Sequence, residues 1–185
     1  LPVENHDEKQ LLNSPGGISV TDLSFAYPGS SEPVFSAFSH DFTPGSRTSI
    51  TGHTGIGKST LMRMFMGFLR PDSGKVMLYS AKDVPVSASP ATRCNLVYVP
   101  QGNSLFSGTI RDNLLMGDPD ATDERLRYAL ETAAADFVFS LPEGMDTMCR
   151  EAGTGLSEGQ AQRIAIARAI LRPGSILLFD EFSSA

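Results

Sequence analysis

The chain has 185 residues, of which 41% are hydrophobic and 19% charged, a composition typical of one folded globular domain rather than a disordered chain. Its net charge of -6 argues against nucleic acid as a partner, because broad contact with a phosphate backbone needs a positive surface. No apolar run in it approaches the ~18 residues typical of a membrane span.

The first part of the chain is predicted to be rich in strands. Residues 1–17 are polar and end in NSPGG, which indicates a linker or tail. Three following stretches combine apolar residues with nearby turn signals or glycines, and each predicts a strand. They are ISVTDLSFAY (18–27), VFSAFSHDF (34–42) and RTSIT (47–51).

Helices and strands alternate in the rest of the chain. LMRMFMGFLR (61–70) predicts a helix, and KVMLYS and NLVYV predict strands. Residues 109–140 carry helical patterns, and a last helix is predicted from Ser157 to Leu171, before the buried strand SILLF. This alternation predicts an α/β fold with a mostly parallel central sheet, into which the helical block at 109–156 is inserted.

A phosphate-binding loop is predicted at GHTGIGKST, residues 52–60. The stretch fits the pattern G-x-x-x-x-G-K-[ST] through Gly52, Gly57, Lys58 and Ser59, with an apolar strand pattern before it and a helix pattern after it. Glycines allow successive backbone N–H groups to point at anionic oxygens, and the helix adds its positive end. Lys58 can then reach the β- and γ-phosphates, and the Ser59 hydroxyl can bind Mg²⁺.

Polar residues that follow two apolar strands are candidates for metal and water chemistry. Asp180 and Glu181 come directly after SILLF, at the edge of an α/β sheet where ligands bind. Asp180 is predicted to hold Mg²⁺ or its waters, and Glu181 to orient and deprotonate the attacking water. Gln101, which follows NLVYVP, offers a neutral amide to the metal or the water.

Two further side chains have open or minor roles at this stage. Tyr27 either offers its ring face to an adenine base or is a turn tyrosine packed on the core, and the sequence does not choose between them. His53 lies inside the phosphate loop, and its side chain is expected to point away from the phosphates.

Together these motifs resemble the ATP-binding domains of ABC transporters. The set is Tyr27, GHTGIGKS, VPQ with Gln101, LSEGQ (156–160) and ILLFDE in that order, and the similarity spans about Ile18 to Ala185. LSEGQ resembles the signature motif of these ATPases. SLPEGMDT and EAGTGLSEGQ are similar to the exporter type, in which membrane spans and ATPase often share one polypeptide.

The resemblance implies a P-loop NTPase core with an N-terminal antiparallel β subdomain and an inserted helical subdomain. The implied divisions are a linker at 1–17, the β subdomain and phosphate-loop core at 18–101, the helical subdomain at 102–156, and the signature helix with the acidic strand at 157–185. ATP and Mg²⁺ are the implied cofactors.

The resemblance also implies the roles of individual residues. Catalytic roles fall to Glu181, Gln101 and Lys58, and metal contacts to Ser59, Gln101 and Asp180. The implied nucleotide contacts are Tyr27, Gly52, Thr54, Gly55, Gly57, Lys58, Ser59, Thr60, Leu156, Ser157, Gly159 and Gln160.

The signature motif is expected to act on a nucleotide held by another chain. Ser157 and Gln160 fit a reciprocal capping box, and Gly159 with the free N–H groups of the helix start forms a second anion site. In the family, two domains pair head to tail, and each signature motif closes on the γ-phosphate bound by its partner. The implied partners are therefore a second such domain and the transmembrane domains of a transporter, and the implied location is the cytoplasmic face of a membrane.

Two departures from the family pattern affect these expectations. Glu158 stands where the family most often has a second glycine, and its carboxylate could weaken the contact with a triphosphate. The chain stops at DEFSSA, whose Ser183, Ser184 and Ala185 begin the expected interface loop, and so before the rest of that loop, another strand and a histidine that contacts the γ-phosphate. It is therefore expected to be a C-terminally truncated domain, mainly monomeric, with little or no ATPase activity of its own.

Three alternatives belong to other classes of protein. A chromosome-maintenance or repair ATPase would need a long coiled coil between Gln101 and the signature motif, and 102–155 is too short and lacks heptads. A small-molecule kinase would need a substrate lid and has no use for LSEGQ. A non-hydrolytic binding or regulatory module stays open for the chain as it stands, and a turnover assay would separate it from an active enzyme.

Overall fold

The computed structural model describes residues 9–102, 104–149 and 155–180, which fall into two units. The first unit extends to Val97 and takes in Gly174–Leu178. The second comprises Tyr98–Pro173 and resumes at Phe179.

The first unit is built on an antiparallel sheet. Its strands are β1 (Gly16–Phe25), β2 (Phe35–Phe42), β3 (Ser73–Ser80) and β4 (Val86–Ser87), in the order β2-β1-β3-β4. All three pairings are antiparallel, and β1 lies between β2 and β3. Because side chains alternate between the faces of a strand, the apolar residues of β1 and β3 share one buried face. The expected N-terminal antiparallel sheet is thereby confirmed.

Helix α1 (Lys58–Phe65) supplies much of the remaining core of the first unit. Leu61, Met64 and Phe65 are buried, and the Phe65 ring meets that of Phe42 on β2 edge-on at 5.2 Å. The helix begins three residues before the predicted range and ends before Gly67, whose φ of 65° is left-handed. Such a conformation terminates a helix and favours glycine.

The prediction of a strand at residues 47–51 is wrong for this structure. These residues have no strand assignment, and residues 46–49 are exposed. Apolar composition indicates that a segment can extend, but a strand also needs a neighbouring backbone that completes the ladder of hydrogen bonds. Within the described ranges, the segment has no such neighbour in any of the three sheets.

The predicted strands at NLVYV and SILLF are present as β5 (Leu96–Val99) and β8 (Ile176–Phe179), which pair with each other. A 3-10 helix over Pro90–Asn95 leads into β5. The fold is therefore the expected α/β type, and these two strands are what the described residues contain of its central sheet.

The second unit is mainly helical. Its elements in chain order are β6 (Gly108–Thr109), α2 (Ile110–Leu115), α3 (Asp123–Thr132), short 3-10 helices at Asp136–Ser140 and Gly144–Asp146, β7 (Met148–Cys149) and α4 (Glu158–Leu171). β6 and β7 form a short antiparallel ribbon. No helix within the described ranges combines the length and the apolar character that a membrane crossing requires.

One apolar core joins the three helices of the second unit. Ile110 and Leu114 of α2, Leu126 and Leu130 of α3, and Ile164 of α4 are fully buried in it. Ala161 and Ala167 keep α4 close to its neighbours, because their small side chains allow short distances between helices. The predicted helical residues Ile164, Ala167 and Leu171 are thus core residues.

The N-terminal segment is held by hydrogen bonds where the structure describes it. Gln10 N donates to Ala91 O at 3.0 Å, and Leu12 N donates to Asn95 Oδ1 at 2.8 Å. Asn95 Nδ2 donates back to Gln10 O at 2.6 Å, and Asn95 is 2% exposed. The predicted linker therefore includes residues that satisfy a buried amide of the first unit.

Candidate functional site

The start of α1 is open to an anion. The helix begins at Lys58, its capping position is Gly57, and no side chain caps it. Its first turn also carries no acidic residue. The first N–H groups of a helix lack partners within the helix, and the helix dipole makes this end positive. The predicted phosphate loop thus ends in a helix start suited to phosphate oxygens.

Glycine is required at two positions of this loop for different reasons. Gly57 has φ 109°, and a Cβ there would lie 2.6 Å from Val34 Cγ1. Both the backbone conformation and the space exclude a larger residue. Gly55 has φ 89° but open space around it, so only its conformation restricts the residue type. These turns bring the loop backbone round to the start of α1.

The ammonium group of Lys58 folds over the loop. Its Nζ donates to Gly52 O at 2.7 Å and to His53 O at 3.1 Å. The charge is thereby held above the loop backbone, within reach of an anion that lies in the loop. The side chain of His53 is exposed, and its backbone oxygen is the group that contacts Lys58.

Tyr27 combines features of both interpretations that the sequence left open. Its ring meets Phe25 edge-on, with centroids 5.0 Å apart and planes at 77°. The residue is nevertheless 37% exposed. Its hydroxyl lies 3.1 Å from Thr60 Oγ1, in the first turn of α1. The ring is therefore anchored beside the phosphate loop with part of its surface accessible, and adenine stacking stays a prediction.

Asp180 is held at the end of β8 in the second unit. It is 8% exposed, and its backbone N–H donates to Val99 O at 3.0 Å. Tyr98 donates its hydroxyl to Asp180 Oδ2 at 3.0 Å. Tyr98 was missed by the sequence analysis, although its position between Val97 and Val99 in β5 was a usable signal. A polar end on an otherwise apolar strand often satisfies a buried group of the neighbouring strand.

The loop that follows Gln101 is fixed by two side chains. Arg168 of α4 donates to Ser104 O at 3.1 Å and to Ser104 Oγ at 2.8 Å. Burial lowers the pKa of Arg168, with a smaller contribution from Arg172, and the guanidinium still stays charged. Asn113 of α2, 1% exposed, binds the backbone N–H and C=O of Phe106 at 2.8 and 2.9 Å. Neither anchor was predicted from the sequence.

The start of α4 has the predicted capping box. Ser157 Oγ accepts from Gln160 N at 3.2 Å, and Gln160 Oε1 accepts from Ser157 N at 2.9 Å. Glu158 is exposed. A Cβ on Gly159 would meet no atom within 4 Å, so the packing of this chain does not require a glycine there. The glycine instead leaves free space above the helix start.

The candidate residues fall into two sets. Tyr27 and the phosphate loop lie in the first unit, and Gln101, Asp180 and LSEGQ lie in the second. Glu181, the predicted general base, is outside the described residues. In the described part of the chain, no three His, Cys, Asp or Glu side chains are grouped so that they alone could hold a metal ion.

Comparison with known proteins gives a consistent family assignment. The family model described as ABC transporter matches residues 35–184. The chain is 39% identical over 169 residues to the mycobactin import ATP-binding/permease protein IrtB of Mycobacterium tuberculosis, which covers 91% of this chain and 29% of that protein. It is 38% identical over 188 aligned residues to the colicin V secretion/processing ATP-binding protein CvaB of Escherichia coli. This match covers 98% of this chain and 26% of that protein.

A solved structure shows the same fold. A bacterial Atm1-family ABC exporter with ATP bound matches with a TM-score of 0.84 and 32% identity, covering 99% of this chain and 32% of that one. The chain thus spans about a third or less of the length of these relatives.

Proposed function

Because the chain belongs to the ABC transporter family of ATP-binding domains, we propose that it binds MgATP through its own phosphate loop and hydrolyses it to drive transport across a membrane. The observation that carries the binding proposal is the start of α1. It combines an uncapped helix end, two left-handed glycines and the Lys58 ammonium over the loop backbone. An anion of several charges, such as a triphosphate, satisfies all of these groups together.

Magnesium fits the donor types of the two motifs. The Ser59 hydroxyl and the buried carboxylate of Asp180 are hard oxygen donors, the type that Mg²⁺ prefers. A nearby cation also offsets the cost of burying a carboxylate. Bound Mg²⁺ would neutralise phosphate charge. Tyr98 supports this role by orienting one oxygen of Asp180, and Gln101 is proposed as a further contact to the metal or the water.

Hydrolysis is assigned to two groups of the chain, Lys58 and Glu181. Lys58 stabilises the charge that develops on the transferred phosphoryl group, because a preorganised cation acts where charge builds up. Glu181 orients the attacking water and accepts its proton. These roles and the nucleotide contacts of Tyr27, Gly52, Thr54, Gly55, Gly57 and Thr60 are proposals that rest on the family motifs.

The signature motif, Leu156–Gln160, is proposed to close on a nucleotide held by a second domain. The open space over Gly159 supports this proposal, since a glycine that this chain's own packing does not need leaves room for an outside ligand. Glu158 is exposed beside it, so its carboxylate can turn toward solvent. The second domain, identical or different, is the proposed partner in a head-to-tail dimer.

The proposed setting is a transporter of the exporter type, with this domain on the cytoplasmic face of the membrane and attached to transmembrane domains. The Atm1-family exporter match supports this arrangement. The name of IrtB states import and that of CvaB states secretion. Exporter type therefore refers here to the arrangement of the domains.

The binding proposal is tested with Lys58→Ala and isothermal titration calorimetry with MgATP. Loss of the ammonium should weaken binding on the order of 10- to 100-fold, the range for a hydrogen bond to a charged group. Lys82→Ala removes an exposed lysine elsewhere in the same unit and should leave the affinity unchanged. Near-equal affinities of the Lys58→Ala variant and the wild type would remove the basis of the assignment.

The hydrolysis proposal has a separate test. Glu181→Gln keeps the size of the side chain and removes its capacity to accept a proton. The variant should bind MgATP as the wild type does and lose whatever phosphate release the wild type shows. Equal phosphate release from both would exclude Glu181 as the base.

A further inference from the structure

The ring of Tyr27 is fixed at two ends. Its body lies edge-on against Phe25, which is 7% exposed and belongs to the core of the first unit. Its tip, the hydroxyl, lies 3.1 Å from Thr60 Oγ1, and either oxygen can be the donor. A ring held at its edge and its tip keeps one orientation, while 37% of the residue stays exposed.

Thr60 is a rigid point of attachment. It is the third residue of α1, directly after Ser59, and it is 7% exposed. A threonine side chain in a helix is restricted to two main rotamers, so its hydroxyl takes few positions relative to the helix backbone. The bond between the two hydroxyls therefore ties the ring to the same helix start that is proposed to hold the phosphates.

We propose that Thr60 is a positioning residue that holds Tyr27 in place as a preformed platform for the adenine base. The inference rests on the proposed function, since it assumes a nucleotide on the phosphate loop. A free tyrosine would lose rotamer freedom on stacking, and fixing it beforehand removes that cost from binding. The bond accordingly strengthens binding of the base although the Thr60 hydroxyl does not touch the base, and any contact of Thr60 with the phosphates is left to its backbone N–H group.

In the opposite arrangement, Tyr27 and a phosphate oxygen compete for the Thr60 hydroxyl, and the effects on affinity differ. If the Thr60 hydroxyl turned to a phosphate oxygen when nucleotide binds, its bond to Tyr27 would compete with binding. Removing the tyrosine hydroxyl would then tighten binding of ATP and of a bare triphosphate. The positioning role predicts weaker ATP binding and no change for the triphosphate.

The test is calorimetric titration of the 185-residue chain with MgATP and, separately, with magnesium tripolyphosphate, which has no base. Tyr27→Phe keeps the ring and removes the hydroxyl, and it should weaken ATP binding roughly 2- to 10-fold, the range of one neutral hydrogen bond. Its affinity for tripolyphosphate should equal that of the wild type. The ratio of the ATP affinity to the tripolyphosphate affinity isolates the contribution of the base, because a general loss of structure would lower both affinities.

Substitutions at Thr60 complete a double-mutant cycle. Thr60→Val keeps the shape and lacks the hydroxyl, so it should lower the ratio of ATP to tripolyphosphate affinity as Tyr27→Phe does. The double variant should show no further fall in that ratio, because both changes break the same bond. Thr60→Ser should restore the ratio. Tyr79→Phe is the matched control, since it removes a hydroxyl bonded to Asp41 elsewhere in the first unit and should change neither affinity.

The outcomes separate this inference from the proposed function. An unchanged ratio in Tyr27→Phe, an equal loss of both affinities or a gain in either overturns the positioning role and leaves the phosphate loop in place. Additive effects in the double variant overturn it as well. A wild-type chain that binds neither ATP nor tripolyphosphate contradicts the proposed function itself, and the inference falls with it.

Discussion

Two helix starts of this chain are built in opposite ways. At α1, Gly57 occupies the capping position with φ 109°, and the helix has no side-chain cap. At α4, Ser157 and Gln160 form a capping box, in which the side chain of each residue accepts a hydrogen bond from the backbone N–H group of the other. Both starts contain glycine, but Gly57 is required by conformation and packing, whereas Gly159 is required by neither.

The difference between the two helix starts indicates which of them is better suited to bind an anion. A capped helix has already satisfied part of its N-terminal hydrogen-bonding capacity, so it offers fewer donors to a ligand. The uncapped start of α1, with Lys58 beside it, is therefore the start that we propose holds the nucleotide of its own chain. The capped start of α4 keeps its shape without a ligand and is suited to add a late contact to a nucleotide bound elsewhere.

The largest expected effect is a difference in stability between substitutions of Gly57 and Gly159. Gly57→Ala should lower the free energy of unfolding by at least about 1–2 kcal/mol, because a side chain is strained in the left-handed region and would also crowd Val34. Gly159→Ala is the matched control, and it should raise the free energy of unfolding by roughly 0.5–1 kcal/mol, because alanine favours a helix. Urea unfolding of both variants measures the difference. Equal effects would contradict the stated reasons for the two glycines.

An intermediate effect is expected for the cap of α4. Ser157→Ala should lower the free energy of unfolding by about 1 kcal/mol, the typical value for loss of a capping side chain. Its affinity for MgATP in the monomeric chain should stay at the wild-type value, because α4 is proposed to contact only a nucleotide bound by a second domain. A large loss of affinity with little loss of stability would reverse the assignment of the two helix starts.

The smallest expected effect compares the capping boxes of α2 and α4 through their pH dependence. In α2, Asp112 takes the place that Gln160 has in α4, and it accepts from Thr109 N at 2.8 Å. This backbone hydrogen bond is the largest cause that lowers the pKa of Asp112 below its ordinary value of 3.8. The charged Asp112 side chain therefore contributes its full stabilisation at pH values above 3.8, and this stabilisation is lost as the pH falls through the folded-state pKa.

Urea midpoints at a series of pH values test this contrast. The difference in stability between the wild type and Asp112→Asn should shrink as the pH falls from about 6 to below about 3. The difference between the wild type and Gln160→Ala should stay constant over the same range, because an amide does not titrate. A constant difference for Asp112→Asn would show that its charge does not support the cap.

The sequence predicted features within one short segment better than contacts between segments that are far apart in the chain. The capping box at Ser157 and Gln160 and the strand β8 follow from short patterns in one segment, and both are confirmed. The bonds from Tyr98 to Asp180 and from Tyr27 to Thr60 join residues 82 and 33 positions apart. A local pattern can mark Tyr98 as a polar group in an apolar strand, but it does not identify the partner of either tyrosine. Residues 47–51 failed as a predicted strand for the same reason, since composition does not specify the neighbour of a strand.

The central claim, that the start of α1 and not that of α4 holds the nucleotide of its own chain, is tested most directly by amide hydrogen exchange with and without MgATP. The chain is kept at a concentration where light scattering shows a monomer, and peptides covering residues 52–60 and 157–163 are compared. We expect MgATP to slow exchange in 52–60 and to leave 157–163 unchanged. Slower exchange in 157–163, with no change in 52–60, would contradict the account.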